Sequence, residues 1–119
     1  MSVHLVIRPA AEFDLDQQAQ YLAEHAGLET AHRFYDSAAF TFAFLIKNPT
    51  VGPVRETANP NLTGLRLWRI EGFERCIIFY LSRANSIEIV RVLHAHRDIE
   101  AILENELGRD SFNESGFMD

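Results

Sequence analysis

The stretch LRLWRIEGFERCIIFYLSRANSIEIVRVLHAHRD, residues 65–98, decides the fold of this chain. Three of its runs are rich in β-branched and aromatic residues and predict β-strands: Leu65–Glu71, Arg75–Ser82 and Ser86–Ala95. The joins between them are short, around Gly72 and around residues 83–85, so consecutive strands are expected to be antiparallel neighbours. The middle run, RCIIFYL, is apolar at successive positions, which predicts a central strand that is covered on both faces.

Two helices are predicted upstream of this stretch. An alternating run at Val3–Arg8 predicts a short first strand. Apolar residues at a spacing of three to four then predict helices over Ala10–Ala26 and Glu29–Lys47. Gly27 is expected to end the first helix and Thr30 to cap the second. The short join implies an antiparallel helical hairpin.

The end of the chain predicts one more helix. Asp98 is the expected N-cap of a helix over Ile99–Leu107, which Gly108 closes. Residues 1–108 therefore form one domain, and Arg109–Asp119 is expected to be a mobile acidic tail. The predicted fold class is α+β: a curved antiparallel sheet, made of the N-terminal strand and a three-strand C-terminal meander, packs on the helical hairpin and carries a short C-terminal helix.

Composition excludes several classes of protein. The apolar share of 47% suits a globular domain with a real core. A single cysteine excludes an internal disulfide and a cysteine-rich zinc site, and we expect no cofactor. The sequence contains neither a signal-peptide pattern nor an apolar run long enough to span a bilayer. We therefore expect a cytoplasmic protein that does not bind membranes.

The charge is unevenly distributed along the chain. The net charge is −6, yet residues 65–97 carry six arginines and only three glutamates. An acidic chain is a poor general nucleic-acid binder, because phosphate neutralisation needs a surplus of lysine and arginine. A local arginine patch can still bind an anion or an acidic partner. Since only one lysine is present, the basic contacts depend on the planar guanidinium group.

Four arginines lie within or beside the apolar strand sequence: Arg66, Arg75, Arg91 and Arg97. Charged residues rarely occupy such positions unless they are paired or functional. One interpretation is ion pairing at the strand ends with Glu71, Glu88 or Asp98. The other is an anion-binding surface, which the occurrence of four arginines in one small sheet favours.

His94 and His96 are candidates for an acid/base pair, because they are two residues apart and so share a face. A metal site would need a third ligand, and the sequence has no HExxH motif or Cys/His set. Histidines near a core strand are often only hydrogen-bonded structural residues. Period-two alternation also predicts that Arg91 shares a face with Ile89 and Leu93, and that His94 lies on the opposite face.

Further candidates lie outside the strand arginines. Glu56, in the loop between the helices and the sheet, could act as a general base if a histidine or arginine faces it; otherwise it is a solvated loop acid. Phe40 and Phe44 lie four residues apart on a separate face of the second helix. The segment Ala38–Ile46 is apolar nearly all round, which predicts burial on two sides, within the fold or against a partner. Trp68 is expected in the core or an interface.

Taken in order, these motifs resemble the RelE/ParE superfamily of bacterial toxins, and most of all its ParE-type plasmid stabilisation branch. The resemblance covers about residues 3–106. The residues that carry it are Pro9–Ala11, Asp14, Tyr21, Asn48, Pro49, Gly52, Leu65, Arg66, Trp68, Arg75, Tyr80, Val92–His94, Arg97 and Asp98.

The resemblance implies a function and partners. Proteins of this kind are neutralised by a cognate antitoxin encoded beside them, and operator DNA is contacted only indirectly, through the antitoxin. ParE-type toxins inhibit DNA gyrase and are not enzymes, whereas RelE-type toxins cut mRNA on the ribosome. The residues that the resemblance and the charge pattern assign to antitoxin or target binding are Arg66, Trp68, Arg75, Arg91, His94, Arg97, Phe40 and Phe44.

Sequence features favour the ParE branch without removing the alternatives. The VLHAHRD ending is similar to that branch, and the closing helix, IEAILENEL, lacks the tyrosine, histidine or lysine of the RelE pattern. Glu56, Arg75 and His94 nevertheless resemble a catalytic set of some nuclease members, so an mRNA endonuclease remains an alternative. A non-toxic interaction module of the same fold is a third.

Overall fold

The computed structural model describes residues 3–106, and within them the predicted order of elements is confirmed. The bounds are β1 His4–Ile7, α1 Pro9–Ala26, α2 Leu28–Lys47, a 3-10 turn Pro60–Leu62, β2 Arg66–Ile70, β3 Phe73–Ser82, β4 Ser86–His94 and α3 Ile99–Glu104. The predicted helix end at Gly108 and the predicted tail 109–119 lie outside the described residues. No helix in residues 3–106 is long and apolar enough to cross a membrane.

The four strands form one sheet in the order β1-β4-β3-β2. β3 pairs antiparallel with both β2 and β4, as the short joins predict. β1 instead pairs with β4 in parallel, so the sheet is mixed. The α+β class is confirmed, and the direction of β1 is the one difference. No tight turn joins β1 to β4, so nothing local in the sequence determines their relative direction.

Each face of the sheet has its own core. The helical hairpin covers one face with a cluster that includes Phe34, Phe42, Ile78 and Ile89. The other face is covered by the 3-10 turn and α3, through a cluster that includes Leu62, Phe79, Val90, Leu93 and Leu103. The central strands β3 and β4 are therefore buried on both sides, as the apolar run in β3 predicts.

A bulge in β4 changes which residues share a face. Phe79 pairs with Arg91 and Tyr80 with Ile89, so Val90 is an extra residue between them. Because the inserted residue shifts the alternation, Ile89 faces the helices, whereas Leu93 faces α3. The prediction that Ile89 and Leu93 share a face is therefore wrong.

Gly27 alone forms the join of the hairpin. It ends α1 and caps α2 with a φ of +98°, a backbone conformation that glycine adopts without strain. α2 therefore begins at Leu28, and Thr30 lies inside it, where its hydroxyl donates to the carbonyl of Ala26 at 3.1 Å. The prediction that Thr30 caps this helix is wrong, because the glycine reverses the chain three residues earlier.

Side chains hold α3 at both ends. Asp98 accepts a hydrogen bond from the Ala101 amide at 3.3 Å, which confirms the predicted N-cap. At the other end, Asn59 Nδ2 donates to the carbonyls of Leu103 and Glu106, each at 2.8 Å. The buried Asn59 thus ties the loop between α2 and β2 to the helix that closes the second core.

A buried ion pair supports the junction of β1 and β4. Arg8 Nε lies 2.7 Å from Glu88 Oε2, and Arg83 Nε lies 3.2 Å from the other carboxylate oxygen. Burial alone would raise the pKa of Glu88, but the hydrogen bonds and charges of the two arginines hold it below its ordinary value of 4.5. Glu88 therefore contributes stability above pH 4.5 that is lost as the pH falls through its lowered pKa.

Candidate functional site

An open groove of about 550 Å³ runs between α1 and the C-terminal end of β4. We call it the α1–β4 groove. One wall consists of α1 side chains, among them Asp14, Gln17, Gln20, Tyr21 and Glu24, and the other consists of His94, His96 and Arg97. The fold thus brings the acid/base candidates His94 and His96 and one of the four strand arginines, Arg97, into the α1–β4 groove.

The two histidines are neighbours in space. His94 is the last residue of β4, and its ring centroid lies 4.1 Å from that of His96 in the following turn. Burial lowers the pKa of His94, and the positive charges of His96 and Arg75 lower it further. His94 is therefore mainly a neutral imidazole near pH 7, available as a proton acceptor or hydrogen-bond partner.

His94 is expected to titrate below its ordinary value of 6.5 in the folded chain. An Arg75→Gln variant should raise its pKa, because a nearby positive charge is removed. Because the pKa of His94 is lower in the folded chain, the unfolded chain binds this proton more tightly. The free energy of unfolding therefore decreases as the pH drops below 6.5. An NMR titration of the imidazole measures this pKa, and Arg33→Gln, an exposed arginine on α2, is the control. An unchanged pKa of His94 in Arg75→Gln would contradict the conclusion that the charge of Arg75 acts on His94.

Arg91 is neutralised by carboxylates. Its Nε lies 2.7 Å from Asp14 Oδ2, its Nη2 lies 2.8 Å from Oδ1, and its Nη1 lies 3.0 Å from Glu106 Oε2. The hydrogen bond to Asp14 raises the pKa of Arg91, and the charges of both carboxylates add to this effect. Asp14 also accepts the Val92 amide at 3.0 Å. These contacts anchor α1 to β4, so the geometry gives Arg91 a structural role.

The other three strand arginines are arranged differently. Arg66 Nη1 donates to the carbonyls of Gly52 at 2.7 Å and Thr50 at 3.2 Å, and so fixes the loop after α2. Arg75 and Arg97 form no ion pair with any carboxylate of residues 3–106. Within residues 3–106, none of the four strand arginines forms an ion pair with Glu71, Glu88 or Asp98, so the predicted pairing is wrong. Arg75 and Arg97 remain available to an anion.

The structure does not place Glu56 in the α1–β4 groove. Glu56 lines a separate groove of about 440 Å³, together with Arg55 and Glu100, whereas His94 lines the α1–β4 groove. Arg75 and His94 are close enough to interact electrostatically. Of the three residues in the nuclease set, two therefore lie together. Within residues 3–106, no cluster of three potential metal ligands occurs.

The aromatic candidates lie on the side of α2 that faces β2. Phe44 stacks on Trp68 with ring centroids 5.7 Å apart, and Phe40 is 61% exposed. On the other side of the helix, Phe42 and Leu45 are buried in the core. Within residues 3–106, the predicted burial of Ala38–Ile46 on two sides is therefore met fully on only one side.

A second apolar surface was not predicted from the sequence. It is a groove of about 360 Å³ between α2 and the edge strand β1, which we call the β1-edge groove. Its lining residues are Leu5, Ile7, Leu15, Tyr35, Ala38, Ala39, Phe42, Ala43 and Ile46. The small side chains at Ala39 and Ala43, one helical turn apart, are a sequence signal for it. The edge position of β1 is not, because strand order depends on the whole fold.

Comparisons with known proteins identify relatives of this architecture. The family model described as the ParE toxin of the type II toxin–antitoxin system parDE matches residues 5–99. A solved structure titled "Chromosomal ParDE TA system from P. aeruginosa" superposes with a TM-score of 0.65 at 19% sequence identity. The match covers 79% of this chain and 97% of that one. Comparison with curated protein sequences gave no match.

Proposed function

The chain belongs to the ParE toxin family of type II toxin–antitoxin systems, and from this premise we propose that it inhibits DNA gyrase and is neutralised by a cognate antitoxin. The observation that carries the proposal is the family match over residues 5–99, which extends from β1 to the first residue of α3. The expected outcome in a cell is growth arrest that co-expression of the antitoxin relieves.

The arrangement of polar groups supports an inhibitor over an enzyme. Glu56 lies in a different groove from His94, and the α3 segment Ile99–Glu104 carries no tyrosine, histidine or lysine to transfer a proton. General acid–base cleavage of RNA needs such groups within hydrogen-bond reach of the reacting atoms. Binding without catalysis therefore accounts better for the residues present.

Two measurements test the target. The full chain should arrest growth when it is expressed without an antitoxin, and the purified protein should inhibit DNA supercoiling by gyrase. Growth arrest with unchanged supercoiling and newly cut mRNA would support the ribosome-dependent nuclease instead. No growth effect, from protein that is shown to be folded and soluble, would support the non-toxic interaction module.

We propose that the antitoxin binds in the β1-edge groove. Its lining is almost entirely apolar, and Leu5 and Tyr35 are 38% and 42% exposed. An amphipathic segment of a partner binds such a groove by burying its own apolar anchors. The small residues Ala39 and Ala43 leave room for a helix or strand to approach α2 closely.

The free edge of β1 adds a second means of recognition. The amides of His4 and Arg8 donate to carbonyls of Asn85 and Ile89, on the β4 side of the strand. Because backbone groups alternate in direction along a strand, those of Leu5 and Ile7 point away from β4. An extended antitoxin segment can therefore add to the sheet as a fifth strand while its side chains enter the groove.

An Ala43→Glu variant is expected to weaken antitoxin binding by roughly 30-fold or more. The added carboxylate would lie in an apolar interface without a partner, whereas Ala43 is exposed in the free chain, so the fold is retained. Titration calorimetry with the antitoxin measures the change. Ala101→Glu, the same substitution at an exposed position of α3, is the matched control. Loss of binding in Phe40→Glu but not in Ala43→Glu would move the interface to the β2 side of α2.

A further inference from the structure

At the β4 side of the α1–β4 groove lies the guanidinium of Arg97, the cationic end of the groove, whose charge no carboxylate of residues 3–106 neutralises. Arg97 and His96 lie there, both exposed, beside the half-buried His94. Within residues 3–106, no ion pair involves any of the three. In a chain of net charge −6, this guanidinium beside two imidazoles that can donate hydrogen bonds is a place where an anion can bind.

The opposite wall presents an aromatic ring. Tyr21, on α1, is 55% exposed and lines the groove. His25 stacks on it with centroids 4.1 Å apart and ring planes inclined by 20°, and His25 Nδ1 lies 2.9 Å from the Tyr21 carbonyl oxygen. The ring is therefore supported by a neighbour, and its exposed surface can receive a flat ligand group.

The remaining lining supplies neutral hydrogen-bonding groups. Gln17, Gln18 and Gln20 present amides, each of which can donate and accept. The Asp14 carboxylate is already occupied by Arg91 and the Val92 amide, so it does not oppose an anion at full strength. Glu24 is the other carboxylate among the lining residues.

We propose that the α1–β4 groove binds a nucleotide, with its phosphate at Arg97 and His96 and its base on Tyr21. The volume of about 550 Å³ lies within the range of small-molecule sites, which is roughly 300–1,000 Å³. The planar guanidinium group can donate two parallel hydrogen bonds to two oxygens of a phosphate, and aromatic side chains stack on any base. The site goes beyond the proposed function, since neither gyrase inhibition nor antitoxin binding requires a nucleotide.

A nucleotide accounts for these residues better than an acidic peptide does. A peptide carboxylate would use Arg97 and His96 but would leave the supported ring of Tyr21 and the three glutamine amides unexplained. A long nucleic-acid strand is disfavoured by the net charge of −6, because binding along a phosphate backbone needs many cations. A single nucleotide unit needs only the one cationic end.

Titration of the purified full chain tests the site without any measure of growth. AMP is expected to produce saturable NMR shifts at His94, His96 and Tyr21, with a Kd of about 1 mM or below. Adenosine and inorganic phosphate, each alone, should bind more weakly than AMP. Equal affinity for AMP and inorganic phosphate would overturn the proposal, because Tyr21 would then contribute nothing. So would the absence of saturation up to about 10 mM AMP.

Matched variants localise the binding. Tyr21→Leu should weaken AMP binding about 5-fold or more, and Arg97→Gln about 10-fold. Phe13→Leu, on the same helix and 60% exposed outside the groove, and Arg33→Gln are the controls. A 5′-phosphorylated thymidine oligomer distinguishes two sources of the nucleotide. If it binds no more tightly than AMP, the ligand is a free nucleotide. If it binds more tightly through the same residues, the ligand is the terminus of a strand. Displacement of AMP by a more tightly bound glutamate-rich peptide would overturn the proposal.

Discussion

Replacing Asp14 with alanine is expected to lower the free energy of unfolding by about 3–5 kcal/mol. The carboxylate is 7% exposed, holds Arg91 in a bidentate pair, and accepts the Val92 amide. Its removal leaves a guanidinium whose side chain is only 16% exposed, with Glu106 as its remaining carboxylate. The cost is large because an incompletely paired charge stays buried, and the attraction that is lost is only part of it.

Urea denaturation followed by circular dichroism measures the effect. Glu24→Ala, at an exposed position of the same helix, is the control and should change the stability by no more than about 0.5 kcal/mol. The double variant Asp14→Leu, Arg91→Met should recover part of the loss, because the incompletely paired guanidinium is then removed and Glu106 keeps Arg8 as its partner at 3.8 Å. If Asp14→Ala unfolds at the same urea concentration as the control, Glu106 alone is sufficient to hold Arg91.

The lengths of the short joins in the sequence predicted how consecutive elements pair. β2, β3 and β4 follow one another through short turns, so their pairing is fixed by the length of the joins. The hairpin of α1 and α2 is fixed in the same way by Gly27. The direction of β1 was not predictable, because two helices, the 3-10 turn and two strands lie between it and its neighbour β4 in the sequence.

One inserted residue in β4 made the predicted assignment of its side chains to the two faces of the sheet wrong. Alternation holds along a strand only while each residue has one partner, and Val90 breaks that rule opposite the Phe79–Tyr80 step. Ile89 and Leu93 consequently face different cores. The run SIEIVRVLH does contain polar residues at Glu88 and Arg91, but both are held in ion pairs, so neither marks a solvent-facing side of the strand from which the extra position could be counted.

The candidate site was predictable by residue type but not by pairing. The sequence shows four strand arginines, but the partner of Arg91 is Asp14, 77 positions away, which no local pattern indicates. Once that pair is known, Arg91 is structural, and Arg97 becomes the arginine that lines the groove. The β1-edge groove was missed for a related reason. Leu5 looks like an ordinary core residue until the strand order places β1 at the edge of the sheet.

The substitution Gly52→Ala is expected to cost about 3 kcal/mol or more in stability. The Gly52 amide donates to Tyr80 Oη at 3.0 Å, and that hydroxyl donates to the Pro49 carbonyl at 3.0 Å. A Cβ on Gly52 would collide with the carbonyl oxygen of Leu67 and lie 2.7 Å from Tyr80 Oη. Because the Leu67 oxygen belongs to the backbone of β2, it cannot rotate away. The loop must move instead, and both hydrogen bonds of the buried Tyr80 are then strained or lost.

Two further variants separate the collision from other effects of adding a methyl group. Gly64→Ala meets no atom within 4 Å, so it carries only the cost of its φ of +83°, about 1–2 kcal/mol. The double variant Gly52→Ala, Tyr80→Phe removes the hydroxyl but leaves the Leu67 carbonyl in place, so stability should not recover. Thermal unfolding of all three variants distinguishes the possibilities. Recovery in the double variant would identify the tyrosine hydroxyl as the sole obstacle, and equal losses at Gly52 and Gly64 would show that the loop yields to the methyl group. Gly52→Ala is expected to be much less stable than Gly64→Ala, because the Leu67 carbonyl oxygen has a fixed position in the sheet.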